Sequence, residues 1–268
     1  MTISNIAVAG STGRMGRTLI EALAETEDLK LSAALEQPGN PLLSQDAGAL
    51  LGTPCGVSIS SNHIDALKTS DILIDFTRPA GTLAYLAVCR ELNIKMVIGT
   101  TGFTAAERTI IQDAANEIAI VFAPNMSIGV NVLFKLLEVA TAALQEGYDI
   151  EIIEAHHRHK VDSPSGTALR MGEIIAQVAN RQLDKVAIYG RQGHTGERTS
   201  DTIGFSTIRG GDIVGDHTAL FAGIGERIEI THKANSRKTF ATGALRAARF
   251  LATQKSGLFD MQDVLGLR

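Results

Sequence analysis

Tryptophan is absent from the 268-residue chain, which also contains only two cysteines, six prolines and 4% aromatic residues. Cys55 and Cys89 lie far apart and form no C-x-x-C pair, which argues against a disulfide framework and suits a reducing cytoplasm. No basic segment near the N-terminus leads into a long apolar run, so neither a signal peptide nor a membrane-spanning helix is expected. The 25 basic and 29 acidic residues nearly balance, which predicts neither a nucleic-acid nor a membrane partner.

The first half of the chain alternates short apolar runs with helical repeats. Residues 3–9 are apolar and rich in β-branched side chains, glycines follow, and Leu19, Ile20 and Leu23 then recur at helical spacing. The runs LKLSAALE, DILIDFT, KMVIGT and IAIVFA continue the pattern, with helical stretches between them. This alternation predicts an α/β domain with a parallel sheet covered on both faces.

The pattern changes after about residue 127. Residues 127–145 are predicted to form a long apolar helix, residues 149–157 a strand and residues 165–181 a second helix, while residues 185–233 are mostly strands. This half predicts an α+β domain built on an open mixed sheet. The last helical stretch, KTFATGALRAARFLATQ, is expected to pack on the first domain. The predicted domains are therefore residues 1–127 with 238–268, and residues 128–237.

The segment GSTGRMG places three glycines between the first predicted strand and the first predicted helix. In a Rossmann-type turn, glycines permit the sharp bend, the approach of a pyrophosphate and close packing of the helix on the strand. Gly10, Gly13 and Gly16 form a G-x-x-G-x-x-G variant, since Ser11 departs from the standard G-x-G-x-x-G fingerprint. We expect a dinucleotide here, whereas the alternative is a glycine-rich turn that binds nothing.

The residue after the second strand bears on which dinucleotide is bound. Glu36 lies about 20 residues beyond the glycines and would accept the adenosine ribose hydroxyls, which favours NAD. Arg14 lies inside the turn and could instead hold a 2'-phosphate, whereas Gln37 adds no charge. Two later loops, GTTGF from Gly99 and APNMS from Ala123, follow strand ends and are predicted either to border the nicotinamide or to be ordinary turns.

The segment EAHHRHKVDSPSGTAL, residues 154–169, combines three histidines, a lysine and a run of small residues. Ser163 and Pro164 predict a helix start, with serine as the cap and proline in the first turn. Backbone donors in a first helical turn have no helical partner, so the Ser-Gly-Thr run that follows predicts an anion site. Lys160 adds a positive charge nearby.

Three interpretations of the histidines are open. His156 or His157 could be a general acid, because histidine exchanges protons near neutral pH. A zinc site could use His157 and His159, but no further ligands lie nearby at metal spacing, and we expect no metal. The segment could also be a solvated polar loop, which would account well for His159.

Together these segments resemble the 4-hydroxy-tetrahydrodipicolinate reductase family. The resemblance rests on EAHHRHKVDSPSGTA and GSTGRMG, with IDFTRPAGT, VIGTTGF, HTGERTSDTIGF, RGGDIVGDHT and GLFDMQDVL, and spans nearly the whole chain. It implies an NADH- or NADPH-dependent reduction of a cyclic dicarboxylate in the diaminopimelate route of lysine biosynthesis. It also implies a cytoplasmic homotetramer joined through the second domain, which binds substrate, while the first domain binds the dinucleotide.

The resemblance assigns roles to individual positions. His156 is expected to donate the proton and Lys160 to assist beside the substrate. The positions implied to bind the dicarboxylate are His157, Ser165, Gly166 and Thr167. Those implied to bind the cofactor are Gly10, Ser11, Thr12, Gly13, Arg14, Met15, Glu36, Gly99, Thr100, Thr101, Ala123, Pro124, Asn125 and Met126. Gln37 stands where the family often carries arginine, so NADH or dual use of both cofactors is expected.

Two other functions would use parts of the same sequence pattern. Another small-acid dehydrogenase, acting on homoserine or aspartate semialdehyde, would share the dinucleotide turn, but the latter reaction needs a nucleophilic cysteine in a suitable setting. A nucleotide-sensing regulator would not need His156 and Lys160 beside an anion site. Oxidation of NADH or NADPH with the predicted substrate discriminates among these functions.

Overall fold

The computed structural model describes residues 3–144 and 146–268, apart from the side chain of residue 50. Two compact units make up the chain, one formed by Met1–Ile128 with Arg237–Arg268 and the other by Gly129–Ser236. Among the described residues, no helix is both long enough and apolar enough to span a membrane.

The first unit contains a seven-stranded parallel sheet. Its strands are β1 (Ser4–Ala9), β2 (Leu29–Leu35), β3 (Ile59–Ser60), β4 (Ile72–Asp75), β5 (Lys95–Ile98), β6 (Ala119–Phe122) and β12 (Gly257–Phe259). Across the sheet they follow the order β12-β6-β5-β4-β1-β2-β3. Its helices are α1 (Arg14–Ala24), α2 (His63–Leu67), α3 (Pro79–Leu92), α4 (Ala105–Ala114), α8 (Lys238–Ala252) and α9 (Met261–Leu265), with a 3-10 turn at Ala49–Leu51. The order reverses between β1 and β4, as in doubly wound dinucleotide-binding sheets.

Two apolar clusters cover the two faces of this sheet. Side chains of α1 and α8 pack with Ile6, Val8 and Ile74 on one face, while α3 and α4 pack with Leu73 and Met96 on the other. Strands buried on both faces consist of nearly continuous apolar runs, which explains ILID, KMVI and AIVF. Helix α8, near the C-terminal end of the chain, thus contributes to the core of the first unit.

The second unit contains a five-stranded mixed sheet. Its strands are β7 (Asp149–His156), β8 (Ala187–Tyr189), β9 (Ile203–Arg209), β10 (Gly215–Ala222) and β11 (Arg227–Ala234). Across the sheet they follow the order β11-β10-β7-β9-β8. β7 pairs in parallel with β9 and antiparallel with β10. Helices α5 (Ile128–Ala143), α6 (Gly166–Val178) and α7 (Leu183–Val186) contribute to a core on one face of the sheet. The parallel first sheet and the mixed second sheet confirm the predicted fold class.

The start of α6 corrects one expectation. Its N-cap is Ser165, whose hydroxyl accepts the backbone N–H of Ala168 at 3.2 Å, and the Ser163–Pro164 pair, joined by a cis peptide bond, lies outside the helix. The predicted start was therefore two residues too early, because two serines could cap and only Ser165 reaches a backbone N–H of the first turn. The predicted end of α5, Gln145, lies outside the described residues.

Candidate active site

The three glycines at the turn between β1 and α1 have different structural roles. Gly10 has a φ of +62°, a left-handed conformation that glycine adopts readily. A Cβ on Gly16 would overlap the carbonyl oxygen of Gly10 and lie 2.7 Å from the Cα of Ser11, so a glycine is needed where the helix crosses the turn. Gly13 is the N-cap of α1 and has no side chain to occupy the helix mouth. The mouth is thus open to an anion.

Glu36 follows β2 and its carboxylate is held beside this turn. It is 7% exposed and accepts the Thr12 hydroxyl at 2.6 Å, the Thr12 backbone N–H at 3.3 Å and the N–H of Gln37 at 2.9 Å. The Asn40 amide in turn donates to the Thr12 hydroxyl at 3.2 Å. These bonds fix the carboxylate at the turn before any ligand arrives.

A cavity of about 620 Å³ opens at the point where the strand order reverses. Gly10, Thr12, Gly13 and Glu36, all predicted cofactor positions, line it together. The lining also includes Gln37 and six residues to which the sequence analysis gave no individual role, namely Phe76, Thr77, Arg78, Ala80, Gly81 and Tyr85. All six lie beyond the end of β4, the strand that pairs with β1, so the strand order was the signal that could have found them.

The other predicted cofactor residues near the turn, Ser11, Arg14 and Met15, are not among those that line this cavity. Ser11 is fully buried, and its backbone N–H donates to the carbonyl of Leu35 at 3.0 Å. Arg14 is exposed at the start of α1, whereas Met15 packs against the core.

Two predicted loops lie farther along the same edge of the sheet. Gly99, Thr100 and Thr101 follow β5, and Ala123, Pro124, Asn125 and Met126 follow β6. None of these seven lines the described cavity. A Cβ on Gly243 of α8 would overlap the carbonyl of Met126, so that backbone also packs tightly within the first unit.

The residues present fit a dinucleotide. The helix mouth offers backbone donors for phosphate, and a fixed carboxylate stands at the end of the neighbouring strand for ribose hydroxyls. The buried hydroxyl of Ser11 has no hydrogen-bond partner among the described residues, as expected at a position that a ligand completes.

A second site begins where β7 ends. Glu154 and His156 are two residues apart on this strand, so their side chains lie on the same face. The Glu154 carboxylate is 1% exposed and accepts from His156 Nδ1 at 2.6 Å and from Ser165 N at 3.1 Å. Arg209 on β9 donates to it twice, from Nη1 and Nη2, each at 2.8 Å.

These contacts shift the pKa values of both Glu154 and His156. Burial opposes ionisation of Glu154, but hydrogen bonds from Arg209, His156 and the Ser165 backbone together lower its pKa to about 2. Burial lowers the pKa of His156 below its usual value of 6.5; Glu154 opposes that shift, while Lys160 and Arg209 add to it. Glu154 is therefore a carboxylate at neutral pH and accepts hydrogen bonds only.

The start of α6 is bound to this pair. The backbone N–H of Ser165 donates to Glu154, and the Ser165 hydroxyl lies 2.9 Å from Nε2 of His217. Burial, followed by the charge of His156, lowers the pKa of His217 to about 3, so His217 is neutral. The backbone N–H and the hydroxyl of Ser165 are thus engaged in hydrogen bonds that hold the N-terminus of α6. Gly166 and Thr167 follow in the first turn of this helix.

Lys160 and the remaining histidines lie in the loop after β7. Lys160 pairs with Asp162 at 2.9 Å. His157 is half-buried, and its buried Nδ1 has no hydrogen-bond partner among the described residues. His159 is exposed, with its ring 6.2 Å from that of His157. Backbone bonds from His157 to Ile213, at 2.7 Å, and from Arg158 to Gly211, at 3.3 Å, hold this loop.

Sequence reasoning missed Glu154, Arg209 and His217. Glu154 had a local signal, the two-residue spacing from His156 on a predicted strand. Arg209 lies opposite His156 and His217 opposite Glu154 in the register of β9 and β10, which the sequence does not reveal. Only the pairing of the strands brings these residues together.

The side chains in the described ranges give little support for metal binding or for catalysis by cysteine. Within residues 3–144 and 146–268, no group of three or more His, Cys, Asp or Glu side chains is arranged to hold a metal ion. Both cysteines are free thiols, with Cys55 exposed and Cys89 buried. Burial raises the pKa of the Cys89 thiol, and the charge of Asp75 adds to the rise, so this sulfur is a poor nucleophile at neutral pH.

Comparison with known proteins agrees with this geometry. The family model "Dihydrodipicolinate reductase, N-terminus" matches residues 4–126, and "Dihydrodipicolinate reductase, C-terminus" matches residues 129–265. The 4-hydroxy-tetrahydrodipicolinate reductase of Nitrosomonas eutropha is 78% identical over the full length of both chains, and that of Nitrosospira multiformis is 64% identical. A dipicolinate-bound dihydrodipicolinate reductase from Paenisporosarcina sp. TG-14 has a TM-score of 0.78 at 26% identity, covering 98% of this chain and 99% of that one. The chain belongs to the dihydrodipicolinate reductase family.

Proposed function

We propose that the protein reduces 4-hydroxy-tetrahydrodipicolinate, through the dehydrated ring, to tetrahydrodipicolinate with NADH or NADPH in the diaminopimelate route of lysine biosynthesis. The observation that carries this proposal is the buried Glu154–His156 pair bonded to the N-terminus of α6. It places a proton donor beside a site for a carboxylate, in a chain that matches this family in both halves.

The first unit holds the dinucleotide. The N-terminus of α1 at Gly13 would hold the pyrophosphate, and Glu36 would accept hydrogen bonds from the ribose hydroxyls. Bound there, the nicotinamide supplies the hydride of the reduction. Because Glu36 is fixed by three hydrogen bonds and Gln37 carries no charge, NADH is used, while the exposed Arg14 allows NADPH as well.

The second unit holds the dicarboxylate. Gly166 and Thr167 present first-turn donors to one carboxylate, and Ser165 shapes that turn as its cap. His157 provides a further donor, and Lys160 supplies a positive charge that stabilises negative charge developing on the ring. The Paenisporosarcina relative was solved with dipicolinate bound, so dipicolinate is a suitable probe for this site.

His156 donates the proton. Addition of hydride leaves an electron-rich centre in the ring, and an imidazolium can transfer its proton to that centre and become neutral. One hydride and one proton thus enter the substrate.

Each half of the protein forms one domain of the enzyme. Residues 1–127 with 238–268 form the dinucleotide domain, and residues 128–237 form the domain for substrate and for contacts between subunits of a homotetramer. The face of the second sheet opposite α5 and α6 supports such contacts, because Ile153, Ile208 and Leu220 on it are only partly buried. Two free thiols suit a cytoplasmic enzyme.

The test follows NADH and NADPH oxidation with the condensation product of pyruvate and aspartate semialdehyde. Wild-type protein should oxidise at least one cofactor. His156→Gln and Lys160→Met should each lower kcat roughly 100-fold or more, the scale for losing an acid or an electrostatic group. Cofactor affinity, measured by fluorescence titration, should stay nearly unchanged. His159→Gln is the matched control and should retain activity, because this exposed ring lies beside the others without a proposed role.

No oxidation of either cofactor by the wild-type protein would overturn the proposed function. Near-normal turnover in both His156→Gln and Lys160→Met would overturn the assigned residues while leaving the reaction in place.

A further inference from the structure

The buried carboxylate of Glu154 has more hydrogen-bond donors than a structural ion pair requires. Arg209 alone, with two bonds at 2.8 Å, would satisfy one edge of the carboxylate. The additional contacts are His156 Nδ1 and the backbone N–H of Ser165, which belong to the proton donor and to the cap of the helix mouth. One side chain thus connects both parts of the proposed substrate site.

The contact at 2.6 Å determines which nitrogen of His156 carries a proton. An ionised carboxylate only accepts hydrogen bonds, so Nδ1 must be the donor in both the neutral and the charged ring. The proton that His156 gains and loses is therefore the one on Nε2. A Cβ on Gly215 would lie only 3.0 Å from Nε2, so this glycine leaves room beside the reactive nitrogen.

Arg209 extends the network to Lys160. Its Nη2 also donates to the backbone carbonyl of Asp162 at 2.7 Å, and the Asp162 carboxylate pairs with Lys160 at 2.9 Å. A continuous chain of contacts therefore runs from His156 through Glu154, Arg209 and Asp162 to Lys160. The two groups proposed to act on the ring are thus linked through Arg209, which contacts Glu154 on one side and Asp162 on the other.

We propose that Glu154, held by Arg209, is a positioning residue of the reduction that fixes the His156 ring so that Nε2 delivers the proton to the substrate. This inference rests on the function proposed above. Glu154 touches neither substrate nor cofactor in it. Replacing the carboxylate should therefore affect proton delivery while leaving the dinucleotide site of the first unit intact.

The charged and titratable groups around His156 predict the direction of each effect on pH dependence. Glu154 on β7 raises the pKa of His156, while Lys160 in the following loop and Arg209 on β9 lower it. His217 on β10, with its ring 5.0 Å away, is neutral because its own pKa is about 3. Removing Glu154 should thus make His156 lose its proton at lower pH, and removing Arg209 at higher pH.

The first experiment measures kcat/KM against pH for wild type, Glu154→Gln and Arg209→Met with the dicarboxylate substrate. Wild-type activity should fall as pH rises through the His156 pKa, since only the protonated ring donates. The falling limb should move to lower pH in Glu154→Gln and to higher pH in Arg209→Met. At neutral pH, Glu154→Gln should lose kcat roughly 100-fold, within the range for an impaired general acid, with the KM for NADH unchanged.

The second experiment observes the ring directly. Protein labelled with ¹⁵N at histidine is studied by NMR at a pH where His156 is neutral, with its signals identified by their loss in His156→Gln. Wild type should show the Nδ1–H form, and Glu154→Gln a mixture of both forms. A neutral ring protonated at Nε2 in wild type would overturn the inference without Glu154→Gln or Arg209→Met having to fold.

Glu151→Gln is the matched control. Glu151 lies on the same strand, faces the other side of the sheet and also pairs with arginines, Arg191 and Arg198, without touching His156. Its pH profile and its His156 signals should equal those of wild type.

Thermal unfolding of each variant shows whether a loss of activity reflects an unfolded protein or a misplaced His156 ring. The positioning role is contradicted if the falling limbs of the pH profiles stay in place in Glu154→Gln and Arg209→Met, or if both move in the same direction, even when the wild type is active. An inactive wild type would instead contradict the proposed function.

Discussion

At the scale of single residues, the reactive edge of His156 depends on a residue that has no side chain. Gly215 lies in β10 with an ordinary φ, so its backbone alone does not require glycine. A Cβ there would nevertheless lie 3.0 Å from His156 Nε2 and 3.5 Å from His217 Cε1, closer to Nε2 than carbon atoms normally pack. A glycine is therefore needed here because of the His156 ring beside it and not because of the backbone conformation of the strand.

Gly215→Ala should lower kcat roughly tenfold, because moving the ring by a few tenths of an ångström misaligns the proton donor. Cofactor KM should not change. Gly210→Ala is the matched control: no atom lies within 4 Å of its added Cβ, and its backbone bond to the carbonyl of His156 remains possible. Steady-state kinetics of both variants checks this, and equal kcat values would show that the edge near Gly215 is not used.

At the scale of elements, the glycines at the junction of β1 and α1 contribute both to the packing of the helix and to the binding of the cofactor. Gly16 allows the helix to cross closely over the turn, whereas Gly13 leaves the helix mouth uncovered. A Cβ on Gly13 would lie 3.1 Å from the Gly10 carbonyl, a contact that a small shift relieves. The two glycines therefore have separable roles, one in packing and one in binding.

Gly16→Ala should lower the free energy of unfolding by about 2–3 kcal/mol, the upper part of the range for overpacking, and should weaken the cofactor site as well. Gly13→Ala should cost about 1 kcal/mol or less in stability but raise the dissociation constant for NADH. Urea unfolding and fluorescence titration measure the two effects. Unchanged stability in Gly16→Ala would contradict the close packing of α1 on the turn.

At the scale of the whole molecule, the second sheet has one face in the core and one partly exposed. Ile152, Phe205 and Phe221 are buried on the first face, while Ile208 on the other is 51% exposed. Large apolar side chains on an exposed sheet face mark a site of association. This face supports the proposed homotetramer.

Ile208→Asp should convert the tetramer to smaller species, because a carboxylate buried between subunits without a partner is costly. Light scattering coupled to size-exclusion chromatography gives the mass, and wild type should have four times the 28.5 kDa of one chain. Ile110→Asp, at a 45% exposed position on α4 of the first unit, should leave the tetramer intact. A tetrameric Ile208→Asp protein would place the subunit contacts elsewhere.

Much of this protein follows from local sequence. Apolar runs such as ILID predicted strands, because a strand buried on both faces is almost continuously apolar, and the spacing of apolar residues in α1 predicted a helix buried on one face. The glycines before α1 and the histidine and lysine cluster identified two candidate sites, since sharp turns, helix starts and proton transfer each need particular residues nearby in the chain. The start of α6 was misplaced because two serines, Ser163 and Ser165, were both suitable caps.

Which distant residues meet depends on how the strands pair in three dimensions. Arg209 and His217 join Glu154 and His156 because β9 and β10 pair with β7 in one register, and a shift of one residue would turn these side chains to the opposite face. Residues after β4 join the glycine turn because β4 lies beside β1. The sequence determines each element through short-range periodicity, whereas strand order and register depend on the packing of the whole sheet.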